Sequence, residues 1–158
     1  MATVTGTLTV NAAFLREIKE DNLRLRELLE EVERLVQSSE DDTSCFRRLA
    51  EALSELRDQL ALHFSLEEAY GYFEDAVEVA PNLSERASEL RSQHSTLFLD
   101  ACRLAEMAEQ RLYGEKGGDI LQKIALSYAQ FQQALRQHES REGDLIMEAF
   151  ESDTGVGD

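Results

Sequence analysis

Apolar side chains recur at three- and four-residue intervals along most of this chain, and polar, turn-forming clusters interrupt them at intervals. That periodicity predicts helices separated by short connections. From about 11 to 38, Phe14, Ile18, Leu25, Leu28, Leu29 and Val32 fall on one face, with Asn11 placed to cap the start. Gln37-Ser-Ser-Glu-Asp-Asp-Thr-Ser44 is polar throughout and reads as a loop. A second helix is expected from about 44 to 79, carrying Phe46, Leu49, Leu53, Leu56, Leu60, Phe64 and Tyr70 and ended by Pro81. Asn82-Leu-Ser-Glu85 has the form of a capping box for a third helix that continues to about 113, with Leu90, Leu97, Ala101, Leu104 and Met107 as its core face. Gly114-Glu-Lys-Gly-Gly118 breaks the chain, and Asp119 is placed to cap a fourth helix reaching about 150.

Long helices joined by short loops make sequence neighbours antiparallel. The expected fold is therefore all-α, an up-down-up-down antiparallel four-helix bundle over residues 11–150. Residues 1–10 alternate Thr with apolar side chains and read as a short extended N-terminal arm lying on the bundle; residues 151–158 read as a flexible tail.

Composition sharpens this picture. A chain of 158 residues can enclose a continuous core, and an apolar fraction of 42% is near the globular norm. The formal charge of −16 repels phosphate backbones and anionic lipid, so neither nucleic acid nor a membrane surface is an expected partner. No apolar run approaches the roughly 18 residues that span a bilayer. The opening residues lack the positive charge and apolar block of a secretory signal, so a cytoplasmic address is expected. Cys45 and Cys102, the two cysteines, have no CxxC spacing and read as reduced thiols.

The candidate chemistry lies with the three histidines, His63, His94 and His138. Two sit in one local pattern, His63-Phe-Ser-Leu-Glu67 and His138-Glu-Ser-Arg-Glu142. Residues four apart share a helix face, so each pattern presents an imidazole beside a carboxylate. This donor pair suits iron, manganese or zinc. At 1.5 Å per residue, His94 and His138 both lie about 28 Å from the loop joining their helices, and His63 and Glu67 reach a similar level from the other end. Three helices thus deliver every histidine to one layer. A single His-x-x-x-Glu would carry little weight in so Glu-rich a chain; two of them with a third histidine at matching depth point to a metal.

His63-Phe-x-x-Glu67-Glu68, then His94, then His138-x-x-x-Glu142, on successive helices, resembles the hemerythrin-like HHE cation-binding domain. Asp21-Asn22-Leu-Arg-Leu25-Arg-Glu-Leu28-Leu29 is similar to that family's first-helix motif, Glu-His-x-x-Leu-Arg-x-Leu-Leu. The resemblance implies iron, one or two ions with an oxo or hydroxo bridge if two, although another divalent metal would suit the donors. It implies Glu67 and Glu142 as bridges, His94 and His138 on one metal and His63 on the other, and a small ligand such as dioxygen, peroxide or nitric oxide. Two departures stand out. Asn22 occupies the place of the family's first-helix histidine, as a weak ligand or a hydrogen-bonding neighbour, which leaves the second metal position weak, open or empty. Leu90 stands four residues before His94, where oxygen-carrying members place a further ligand. Glu20, Asp21 and Glu139 are nearby carboxylates, the last expected on a solvated face. Leu25, Phe64, Tyr70, Leu90, Phe98 and Phe131 are expected to wall the pocket and keep it apolar.

Two other readings compete. A family member that has lost its metal would serve as a structural or interaction bundle, and Asn22 is its best support. A histidine phosphotransfer module is also helical, but His138-Glu-Ser-Arg141 lacks the proline of a phospho-acceptor box. No activated nucleophile, phosphate loop or cofactor fingerprint argues for an enzyme.

Overall fold

A computed structural model describes residues 2–38, 42–69, 76–78, 80–114 and 119–156, with side chains placed for Arg16 and from Lys19 to Glu151 within those ranges. The chain is all-helical, with no strand among the described residues. Four long helices dominate: α1 (Ala2–Gln37), α2 (Thr43–Ala69), α3 (Ser84–Tyr113) and α4 (Ile120–Val156). A short 3-10 turn at Pro81–Leu83 leads into α3.

Each long helix buries a stripe whose members alternate three and four residues apart. On α2 the stripe is Phe46, Leu49, Leu53, Leu56, Leu60, His63 and Glu67; on α4 it is Ile124, Tyr128, Phe131, Leu135, His138, Glu142, Leu145 and Ala149. Over the described side chains this spacing keeps one seam facing the neighbours, so packing rather than local propensity stabilises it. α2 packs on α1 and on α3, α3 on α4, and α4 meets α1 along a shorter stretch. The fixed points between helices run in order: Arg24 with Glu55 and Asp21 with Gln59 and His63 across α1 and α2, then Arg86 with Glu148, Glu89 with Arg141 and Gln93 with His138 across α3 and α4.

Two apolar clusters fill the interior. The larger joins all four helices, from Leu28, Val32 and Phe46 to Phe64, Leu97 and Leu135; the smaller holds Leu83, Ala87, Leu90, Leu145 and Ala149. His94 lies between Leu90 and Leu97, and His138 and Glu142 lie between Leu135 and Leu145. A polar layer therefore separates the two clusters.

Several expected boundaries are corrected. Residues 2–10 are not an extended arm but the first turns of α1, and α4 runs past the expected tail to Val156. Extending an existing helix orders one residue for each hydrogen bond gained, whereas a lone extended segment leaves its backbone groups unpaired. The capping box does not form: Leu83 is the N-cap of α3, with no side-chain cap bond, and the N–H of Ser84 donates to the carbonyl of Pro81. The 3-10 turn has already begun the winding, so no cap is needed at Asn82. At the start of α2 the capping carboxylate is Asp42, whose Oδ1 accepts from the Cys45 N–H at 2.6 Å. The expected core residues Phe14, Ile18 and Tyr70 lie outside the described side chains.

Candidate metal centre

The polar layer is built from the same stripes that form the core. His63 and Glu67 replace apolar residues on the buried face of α2, His94 does so on α3, and His138 and Glu142 do so on α4. All five are buried, His138 at 1% exposure. Ligand atoms from Glu67, His94, His138 and Glu142 all lie within 4.8 Å of one another. His63 joins through Glu67: its Nε2 stands 2.9 Å from Glu67 Oε1, and the other oxygen of Glu67 is 3.1 Å from His94 Nε2. On the far side, Glu142 Oε1 lies against His138 Nε2 and 3.5 Å from His94 Nε2.

Each imidazole is held by its outer nitrogen. The Nδ1–H of His63 donates to Asp21 Oδ2, that of His94 to Glu68 Oε1 at 3.2 Å, and that of His138 to Gln93 Oε1 at 2.8 Å. All three Nε2 atoms therefore point inward, toward the two carboxylates. Nε2 of His63 and of His138, Oε2 of Glu67 and Oε1 of Glu142 are buried without a hydrogen-bond partner among the described residues. Their short contacts are ion-pair distances lacking hydrogen-bond alignment. A buried polar atom left so costs on the order of 1–3 kcal/mol, and a cation at the centre of the group would satisfy several at once. The donor set, neutral nitrogen with carboxylate oxygen and outer partners fixing each ring, suits a borderline transition metal.

The electrostatics agree. Burial works against a charged His63, but the carboxylates of Asp21 and Glu67 outweigh it and raise its pKa to about 10. Burial likewise opposes charge on His94, and Glu142, Glu67 and Glu68 together raise it to about 9. Glu67 would be raised by its burial, yet His63 and His94 pull it down to about 2. A carboxylate so held is ready to meet a cation, and without one the imidazolium ions take that part.

A cleft of about 580 Å³ opens onto this layer between α1 and α4, where those helices meet least. Asn22, Leu25, Leu29, Leu135, Glu139 and Gly143 line it beside His63, Glu67 and Glu142. Asn22 is exposed at this cleft and does not enter the inner cluster. Glu139 is exposed, as expected, and lines the cleft, where desolvation by its surroundings pushes its carboxyl above the usual range.

Of the expected wall residues, Leu25 lines the cleft, and Phe64 stacks on the His94 ring at 4.0 Å and meets His138 edge-on at 5.8 Å. Leu90 instead belongs to the smaller apolar cluster, Phe131 packs in the larger one against Tyr128, and Phe98 is half-buried; none of the three lines the cleft. Leu90 and Phe131 lie one turn or more along their helices from His94 and His138, so they pack the layers next to the ligands. Tyr70 lies outside the described residues.

Comparison with known families agrees with this geometry: the family model described as Hemerythrin HHE cation binding domain matches residues 13–116. The chain belongs to this hemerythrin HHE family. The match takes in His63, Glu67 and His94, while His138 and Glu142 lie beyond it and are tied to the centre by position alone. No curated protein and no solved structure matched the chain. As a hemerythrin HHE domain the chain is a cation-binding type, and its buried His/Glu cluster fits a metal site.

Proposed function

We propose that this protein is a non-haem iron protein that binds or senses a small molecule such as dioxygen, peroxide or nitric oxide. In this reading the helices form an up-down-up-down antiparallel four-helix bundle, supported by the opposed order of contacts along α1 and α2 and along α3 and α4. Glu67, His94, His138 and Glu142 would hold one ion; His63, beside Glu67, would offer a second position that Asn22 leaves incomplete. The single observation carrying the reading is the inward convergence of buried, unsatisfied nitrogen and oxygen ligand atoms. Iron held there would supply redox chemistry toward such small molecules.

The chain's own residues do the rest. Glu67 and Glu142 supply negative charge, the outer partners hold the rings, Phe64 excludes water from one side, and the α1–α4 cleft admits a small ligand. A cytoplasmic setting belongs to the same reading: Cys45 and Cys102 are free thiols, and no helix among the described residues is long and apolar enough to cross a membrane. The acidic surface disfavours nucleic acid as a partner.

Anaerobic titration of metal-free protein with Fe²⁺, followed by elemental analysis after desalting, tests the proposal. One or two irons per chain, lost in His138→Ala, with an absorption change on exposure to dioxygen or nitric oxide, is the expected result. Iron uptake absent, or unchanged in that variant, would refute it.

A further inference from the structure

Asp21 is a carboxylate within the buried stripe of α1, in step with Leu25, Leu28, Val32 and Leu35, and is itself only 5% exposed. Both of its oxygens are engaged from α2: Oδ1 accepts from Gln59 Nε2 at 2.6 Å, and Oδ2 accepts from the Nδ1–H of His63. Turning the His63 ring over would exchange its inner and outer nitrogens and break the second of these bonds. Gln59, by occupying the other oxygen, stops the carboxylate from turning to follow.

The other two imidazoles have weaker anchors. Glu68, which holds His94, has a side chain 48% exposed, so water and salt screen its charge. Gln93, which holds His138, offers a neutral amide oxygen. Of these three anchors, Asp21 is the buried carboxylate. An anionic acceptor increases the donor strength of the opposite nitrogen, and in a low-dielectric setting that influence is not screened.

We propose that Asp21, steadied by Gln59, is a positioning residue that fixes His63 with Nε2 toward Glu67 and makes it the strongest imidazole donor of the centre. Through this residue α1 takes part in the centre without contributing a ligand, its Asn22 facing the cleft instead. The inference rests on the metal-binding reading above.

The test is Zn²⁺ affinity, measured by competition with a chelator, in a double-mutant cycle of Asp21→Asn and His63→Ala. Asp21→Asn is expected to weaken binding of the Zn²⁺ that His63 helps to hold about 10- to 100-fold in the wild-type background. In the His63→Ala background it should change affinity less than about twofold, because an effect exerted through His63 vanishes with that ring; a general structural role would persist. In the Zn²⁺-loaded protein, the downfield Nδ1–H resonance of His63 should be lost in Asp21→Asn while that of His138 stays. Gln59→Leu, which leaves the carboxylate in place, should weaken binding in the same direction by a smaller factor, and it serves if Asp21→Asn fails to fold. Equal affinity in wild type and both variants, or an equal loss in both backgrounds, overturns the role of Asp21. Absence of Zn²⁺ binding by wild type overturns the metal-centre reading itself.

Discussion

Metal loading displaces protons from the ligand set, and the surroundings of the imidazoles set how many and over what pH range. A cation binds only an imidazole whose Nε2 has lost its proton. His63 and His94 are held up to about 10 and about 9, so both are cationic in the metal-free protein at neutral pH. The ion held by Glu67, His94, His138 and Glu142 displaces the His94 proton, and one engaging His63 displaces a second. Binding is therefore favoured as pH rises. For the first ion the logarithm of the apparent association constant should climb by about one per pH unit below about 9 and level off above. From pH 6.5 to 8.5 this amounts to about two orders of magnitude. Imidazoles at the ordinary value near 6.5 would leave affinity flat above about pH 7. Zn²⁺ competition against a chelator of known protonation, with calorimetry in two buffers of different ionisation heat, reads slope and proton count together. A slope near zero above pH 7 would refute the reasoning.

The metal-free protein should show the opposite trend in stability. His63 and His94 have folded-state pKa values raised above the unfolded value, so their contribution is complete below about pH 6.5 and is lost as pH rises through 9 and 10. Glu67, depressed to about 2, contributes above about pH 4.5 and loses that contribution as pH falls toward 2. The layer's own contribution thus peaks between about pH 4.5 and 6.5, declining above by at most about 1.4 kcal/mol per pH unit for each imidazole. Urea unfolding of metal-free protein across this range checks the sign, and stability rising from pH 6.5 to 9 would contradict it.

Three substitutions test other parts of the account. Asn22→His places an imidazole on the cleft shared with His63 and Glu67 and should raise occupancy of a second iron, read by elemental analysis; unchanged content would show that Asn22 is not the incomplete ligand position. Gly143→Ala should stabilise the protein by about 0.5–1 kcal/mol in urea unfolding, because the added Cβ meets nothing within 4 Å and helix propensity improves. Leu56→Ala, at a fully enclosed site in the larger cluster, should cost about 2–5 kcal/mol in the same assay.

The legible parts of this protein were those written with helical period. Phe46, Leu49, Leu53, Leu56 and Leu60 on α2, and Leu90, Leu97, Ala101 and Leu104 on α3, are buried as their spacing requires. Counting residues from the loops brought His94 and His138 to one depth, and their Nε2 atoms do meet at the same carboxylate, Glu142. Termini were less legible, because whether Thr- and Val-rich residues at 2–10 wind onto α1 depends on the helix they adjoin and not on their own alternation. Leu90 falls outside the cleft for a related reason: one turn along a helix is about 5.4 Å, enough to move it out of the ligand layer and into the packing next to it.

Asp21 and Asn22 show where a family motif and a physical pattern give different answers. Alignment to the first-helix motif draws attention to Asn22, the residue standing where a histidine would be. Position in the buried stripe selects Asp21, four residues before Leu25 and seven before Leu28, a carboxylate where the period demands an apolar side chain. Adjacent helical residues point about 100° apart, so only one of the two can face the interior, and the stripe decides that it is Asp21. An ionised carboxylate persists in such a place only with partners, and Gln59 and His63 supply them. The same argument covers His63, Glu67, His94, His138 and Glu142, each a polar residue in an otherwise apolar stripe. Polar residues in phase with the core are the signal that, applied to α1 as to the other helices, would have placed Asp21 in the centre from the sequence.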